Sequence, residues 1–510
     1  MKTTVKPDLT EDLRNRRAPL DLPPDQFREL GHRLVDQIAD FLGSLRSRKV
    51  TPGEAVQTVR ELIDFDRSLP GQGSDPAADL EWIAELLFDH SLHNGHPRFW
   101  GYVTSSAAPI GALADFLASA VNPNAGGWKL SPLATEIEVQ TICWIAQFIG
   151  YPDDCGGLLV SGGNMANFVG FLVGRRAKTD WDVRKAGMFS GTPLRVYASQ
   201  ETHTWIQKAA DLFGFGTDAI AWVPTDDRQR MDTGRLRSMI QEDRQNGVRP
   251  LMVVGTAGTV GTGAIDPLNE LADICAEQDL WFHVDGAYGA FAAALPDASA
   301  DLRALSRADS VAMDPHKWLY APLEAGCVLV RRRELLRESF SYHPPYYHFD
   351  PELTNYFDFG PQNSRGFRAL KVWLALRQAG REAYERMIAQ DIRLAGELYR
   401  ILPNYPELER LTHGLSIVTF RYIPPDLRPH CGTPEVDQYL DDLNRKILDQ
   451  VEAGGEAFLS NAVINGRFAL RLCIVNFRTS LEDIESLPPL IVRLGREVDG
   501  DRAYRNPPDL

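Results

Sequence analysis

The sequence predicts an α/β protein: a mostly parallel central sheet flanked by helices, an N-terminal helical segment and a small C-terminal α+β domain. Between about residues 98 and 390, short apolar runs alternate with stretches of helical periodicity, the pattern of strands joined by helical crossovers. A single amphipathic stripe precedes this region, and shorter strand-like runs mixed with helices follow it. We therefore divide the chain into residues 1–97, 98–390 and 391–510, since 510 residues exceed what one simple core accommodates.

In chain order, Phe27, Leu30, Leu34, Ile38 and Leu42 recur at steps of three and four, which predicts a helix with one face to bury. Strands are expected at GGLLV (156–160), LRVYAS (194–199), PLMVVGT (250–256), LWFHVD (280–285), SVAMD (310–314) and GCVLVRR (326–332). Helical stretches lie between them at 164–177, 203–214 and 266–278. In the last region SIVTFRY (416–422) and FALRLCIV (468–475) read as strands.

Composition narrows the function classes. A net charge of -15 lacks the basic face that nucleic acid or an anionic membrane requires. The polar N-terminus has no signal-peptide middle and no eighteen apolar residues run together, so a cytoplasmic protein that spans no membrane is expected. The six cysteines form no CxxC pair and no metal-ligand cluster, a reduced pattern with no metal implied.

Ligands of open α/β sheets bind beyond the carboxyl ends of the strands, so the residues after each apolar run matter most. Ser161, Gly162, Gly163 and Asn164 follow the first, at a helix start; His203 follows the second and Thr256 ends the third. Asp285 ends the fourth, and Asp314, His316 and Lys317 follow the fifth. Singly, each has a plain structural reading: a turn, a cap, a surface charge. Together they fall on one rim. Glycines at a helix N-terminus cradle a phosphate, a lysine amine condenses with an aldehyde, and a carboxylate holds a pyridine nitrogen protonated. This is the donor set of a pyridoxal 5'-phosphate site.

At these residues the chain resembles the group II pyridoxal-phosphate decarboxylases, and among them the aromatic-L-amino-acid decarboxylases most. The resemblance rests on HVDGAYGA (283–290) followed by DPHKW (314–318), with SGGNMAN (161–167) upstream and FRALKVW (367–373) downstream. It implies fold type I, the aspartate-aminotransferase-like fold, and a homodimer with its active site at the interface, the N-terminal segment packing on the partner. Carried over, it makes Lys317 the internal aldimine lysine, Asp285 the partner of the pyridinium nitrogen and His203 the ring that stacks on the cofactor. Gly162, Gly163, Asn164 and His316 would line the phosphate, with Asp314 in the same turn, and Thr256 and Ala287 would pack around the ring.

The resemblance also implies decarboxylation of an L-amino acid to the amine through a quinonoid, which then needs a proton. Tyr346 occupies the loop position of the proton donor, where related aldehyde synthases carry phenylalanine. His343 and His348 nearby lack further ligands at metal spacing. Trp100, Tyr102, Thr104, Ser105 and Trp128 match the substrate pocket, and an aromatic substrate is expected. A ring contact shifts specificity by only about 1–3 kcal/mol, so these residues do not rank one amino acid above another. The alternatives are an aliphatic or acidic amino acid, an aldehyde synthase or an aminotransferase. A non-catalytic homologue would be expected to lack Lys317 or Asp285, and both are present.

Overall fold

The computed structural model describes residues 13, 14, 16, 18–345, 350 and 352–500. Two compact units divide between Leu92 and His93. The first holds α1 (Pro24–Ser44), α2 (Val56–Leu62) and α3 (Pro76–His90). Proline in the first turn of α1 and α3 fits the helix N-terminus, and the Asp75 carboxylate caps α3 by accepting the Ala77 N–H. Phe41 of α1 stacks on Phe88 of α3 at 4.7 Å. Of the expected stripe, Leu30 is buried and Leu34 and Leu42 are half-buried, while Phe27 and Ile38 remain exposed.

The second unit is built on a seven-stranded sheet of order β1-β7-β6-β5-β4-β2-β3. Its strands are β1 (Gly156–Val160), β2 (Leu194–Ser199), β3 (Ile220–Val223), β4 (Arg249–Thr256), β5 (Trp281–Asp285), β6 (Ser310–Met313) and β7 (Gly326–Val330). β3, β2, β4, β5 and β6 pair in parallel, and β7 runs antiparallel between β6 and β1. Every residue of β1, β5, β6 and β7 is buried, as expected of a sheet covered on both faces. Helices α4 (Pro109–Val121), α5 (Pro132–Ile149), α6 (Gly163–Lys178), α7 (Trp205–Leu212), α8 (Thr233–Gln245), α9 (Leu268–Gln278) and α10 (Glu334–Phe340) accompany it, with single helical turns at Val183–Ala186 and Ala300–Arg303. α6 packs along β5, β6 and β7.

Helix α11 (Ala369–Ile401) kinks at Gly380, whose φ of 72° interrupts the helix, and touches both α4 and β9. It leads into an antiparallel sheet of order β10-β11-β9-β8, made of β8 (Leu408–Gly414), β9 (Ile417–Tyr422), β10 (Ser460–Ile464) and β11 (Arg467–Cys473). Helices α12 (Pro434–Gly454) and α13 (Leu481–Gly500) pack together. Strands β3, β8 and β10 were not expected from the sequence. β3 has only four residues, and β8 buries a single residue of its seven, so neither gives a long apolar run.

Among the described residues, no helix is long and apolar enough to cross a membrane.

Candidate active site

β6 delivers the lysine. After Met313 the chain turns through Asp314 to Lys317, with the Lys317 N–H donating to the Asp314 carbonyl at 2.8 Å. The Lys317 side chain is only 17% exposed, and its Nζ lies 3.0 Å from Asp314 Oδ2. A lysine so enclosed is not a solvated surface charge. The turn is held from several sides: Ser105 donates to the His316 carbonyl at 2.6 Å, and His316 Nδ1 lies 2.7 Å from the Ala325 carbonyl. Beyond the lysine, the Trp318 indole and the Tyr320 hydroxyl both donate to Asp391 Oδ2, at 2.9 and 2.7 Å.

Asp285 ends β5 with only 5% of its surface exposed. Its Oδ2 accepts the Trp205 indole N–H at 2.7 Å and its Oδ1 the Ala287 N–H at 3.1 Å. N–H donors stabilise a carboxylate in its charged form. His203, before α7, opens to the same space, and its Nδ1 accepts the Trp205 backbone N–H at 3.4 Å. Partial loss of hydration lowers the His203 pKa; Lys317 adds to this, against the pull of Asp285. Burial and Lys317 thus favour the neutral imidazole. Burial likewise lowers His316, against the pull of Asp314.

The cradle lies at the start of α6. Gly162 has φ 81°, which glycine adopts without strain, and no side chain caps the helix. The first N–H groups of a helix lack intrahelical partners and suit an anion. Asp314 stands beside them, its Oδ2 2.7 Å from where a Cβ on Gly163 would be. Lys317 offsets that carboxylate's charge.

These groups share one cavity of about 410 Å³, a size typical of small-ligand sites. Gly162, Gly163, Asn164, His203, Thr256, Asp285, Ala287, Asp314, His316 and Lys317 all line it, so the structure brings together every residue expected around the cofactor. Of the expected substrate pocket, only Thr104 lines it. The others are placed elsewhere. Trp100 is fully buried, its indole donating to Thr479 at 3.3 Å. Tyr102 is 58% exposed, Ser105 is spent on the turn, and the Trp128 indole donates to Glu136 at 2.7 Å. Trp100 belongs to the core of the small sheet. Tyr346 and His348 lie outside the described residues. His343 pairs with Asp358 at 3.3 Å, and among the described residues no His, Cys, Asp or Glu group is arranged to hold a metal.

Sequence reasoning missed several contributors. Glu201 and Tyr288 line the cavity. Asn167, in the first turns of α6, bridges the Gly163 carbonyl and His283 Nε2 at 2.9 and 2.8 Å. Arg471 of β11 is buried, donating to the Tyr102 carbonyl and Ser460, while its Nε and Nη2 have no partner. Its charge is felt by Tyr288 at the cavity wall.

The residues fit pyridoxal phosphate on the structure's own terms. An enclosed amine, a held carboxylate and an uncapped glycine cradle face one cavity, and buried Thr256 Oγ1 and Asp314 Oδ1 there lack partners. Fold and site together define a fold type I pyridoxal-phosphate enzyme acting on amino acids. The sequence profile of the pyridoxal-dependent decarboxylase conserved domain matches residues 64–423, and the chain belongs to that family. An aromatic-L-amino-acid decarboxylase of Bacillus atrophaeus is 36% identical over 94% of this chain and 97% of its own. A phenylacetaldehyde synthase of a Rosa hybrid cultivar is 28% identical over 89% of this chain and 90% of its own. The crystal structure of Oryza sativa TDC with PLP and tryptamine superposes with a TM-score of 0.86 at 28% identity, covering 94% of this chain and 99% of that one. The protein is thus a pyridoxal-phosphate-dependent amino acid decarboxylase.

Proposed function

We propose that the substrate is an aromatic L-amino acid and the product its amine. The observation that carries the reaction is the meeting of Lys317, Asp285 and His203 on one cavity. When bound, pyridoxal phosphate supplies an electron sink for the pair left by the broken bond between Cα and the carboxylate. Lys317 Nζ is the amine that holds its aldehyde carbon. Asp285, fixed by two N–H donors, keeps a proton on the ring nitrogen. His203 offers a flat ring to the cofactor face, and its partial burial disfavours a positive charge beside Lys317. The cradle at Gly162, Gly163 and Asn164 takes the phosphate, with His316 beside it.

Support for an aromatic side chain comes from the 36%-identical Bacillus relative. The rose synthase among the relatives favours a second reading, in which aldehyde is released. Tyr346 as proton donor belongs to the amine-forming reading. We also infer a homodimer: Leu113, Phe116, Leu117 and Val121 of α4 and Leu133 of α5 are all about half exposed or more, an apolar patch that a second copy would cover.

The test is a carbon dioxide release screen over the amino acids, with products identified by mass. Amine from phenylalanine, tyrosine or tryptophan is expected. Aldehyde with ammonia and peroxide would replace this reading by the second, and release only from aliphatic or acidic substrates would overturn the aromatic assignment.

A further inference from the structure

We propose that Trp205 is a positioning residue for the cofactor, its indole N–H fixing the Asp285 carboxylate in the orientation that meets the ring nitrogen. This rests on the pyridoxal-phosphate reading of the site. Trp205 opens α7, is fully buried, and reaches across to β5 to donate to Asp285 Oδ2 at 2.7 Å. With Ala287 N–H on Oδ1 at 3.1 Å, each carboxylate oxygen has one donor, so the carboxylate plane is set. The same residue uses its backbone N–H on His203 Nδ1. One side chain and its own amide therefore tie together the two groups that face the cofactor ring.

The indole has little freedom to release its partner. Its ring meets His283 edge-on at 5.6 Å and Phe171 edge-on at 6.4 Å. His283 is itself fixed, Nδ1 to Ser310 Oγ and Nε2 to Asn167 Oδ1, both at 2.8 Å. Burial drives the His283 pKa down to about 4, so a neutral ring backs the indole. Asn167 carries these hydrogen bonds on to the Gly163 carbonyl, so the phosphate cradle is tied to the His283 ring that packs against the indole. Such networks rigidify when every member is satisfied.

Loss of a hydrogen bond to a charged group reads as a change of roughly tenfold or more in an equilibrium constant. The test measures the pyridoxal phosphate dissociation constant of the full chain from growth of the visible absorption band, in wild type, Trp205→Phe, Asp285→Asn and the double variant. We expect Trp205→Phe to weaken binding at least tenfold when Asp285 is present and less than twofold when it is replaced, the signature of action through Asp285. Equal weakening in both backgrounds would show a merely structural role and overturn the proposal. Unchanged binding in Trp205→Phe would overturn it as well. Because phenylalanine leaves a gap, the isosteric benzothienylalanine at position 205, which exchanges only the N–H for sulfur, is measured alongside. It is expected to match Trp205→Phe, and wild-type affinity there overturns the proposal. Failure of the wild type itself to bind pyridoxal phosphate is a separate result, which sinks the cofactor reading and this inference together.

Discussion

Tyr320, three residues beyond Lys317, donates its hydroxyl to Asp391 Oδ2 at 2.7 Å. Tyr320 has φ 51°, a left-handed conformation that costs a non-glycine residue about 1–2 kcal/mol and persists only where its surroundings fix it. Asp391 does so, since it also accepts the Trp318 indole at 2.9 Å and hydrogen bonds to the Asn476 backbone. The Lys317 turn is therefore pinned from α11, behind the cavity.

Burial pushes the Asp391 pKa up to about 7, against the three hydrogen bonds that lower it. A carboxyl with a raised folded-state pKa takes up its proton on folding, and ionisation costs the native state. Its stabilising contribution is fully present below about pH 4, the unfolded value, and is lost as the pH rises towards about 7. Asp391→Asn lacks this term. The difference in Tm between wild type and Asp391→Asn should fall across that window and stay level above it; a difference independent of pH would contradict the assignment.

Arg365 and Glu138 form an ion pair at 2.5 Å with side chains 1% and 0% exposed. The guanidinium also donates to the Ala125 and Leu159 carbonyls, at 2.9 and 2.5 Å, and Glu138 accepts the Leu159 N–H. Removing one partner of a buried pair costs about 3–5 kcal/mol because the other charge is left unpaired. Glu138→Gln is therefore expected to lower Tm by several degrees. Replacing both residues by methionine should cost less. An unchanged Tm in Glu138→Gln would mean that water reaches the pair.

Gly326 opens β7 against the cradle. A Cβ there would stand 2.5–2.7 Å from the Gly162 Cα, C and O, and backbone atoms cannot rotate away from it. Gly326→Ala should displace Gly162 and weaken pyridoxal phosphate binding about tenfold or more, with an overpacking cost of roughly 1–3 kcal/mol in stability. Dialysis followed by absorbance reads the first and thermal unfolding the second. Wild-type retention of the cofactor would show that the phosphate does not rest on Gly162.

The large sheet was legible because burial on both faces turns β1, β5, β6 and β7 into unbroken apolar runs. The residues that share the cavity were legible for a related reason, since most of them end an apolar strand or follow one. Trp205 and Asp391 were not. Their partners lie 80, 73 and 71 residues away, and within a helical pattern an indole reads as core and a carboxylate as surface. Trp100 and Trp128 stand outside the cavity of the single chain, their indoles donating to Thr479 and Glu136, contacts that sequence position beside the site does not show. β8 escaped because it is half-exposed along most of its length.

The most direct test of the central claim is to incubate the full chain with pyridoxal phosphate, reduce it with borohydride, digest it and locate the pyridoxyl group by mass spectrometry. The expected result is a single modified residue, Lys317, lost together with the visible absorption band in Lys317→Ala. Labelling of another lysine, or of none, would contradict the account.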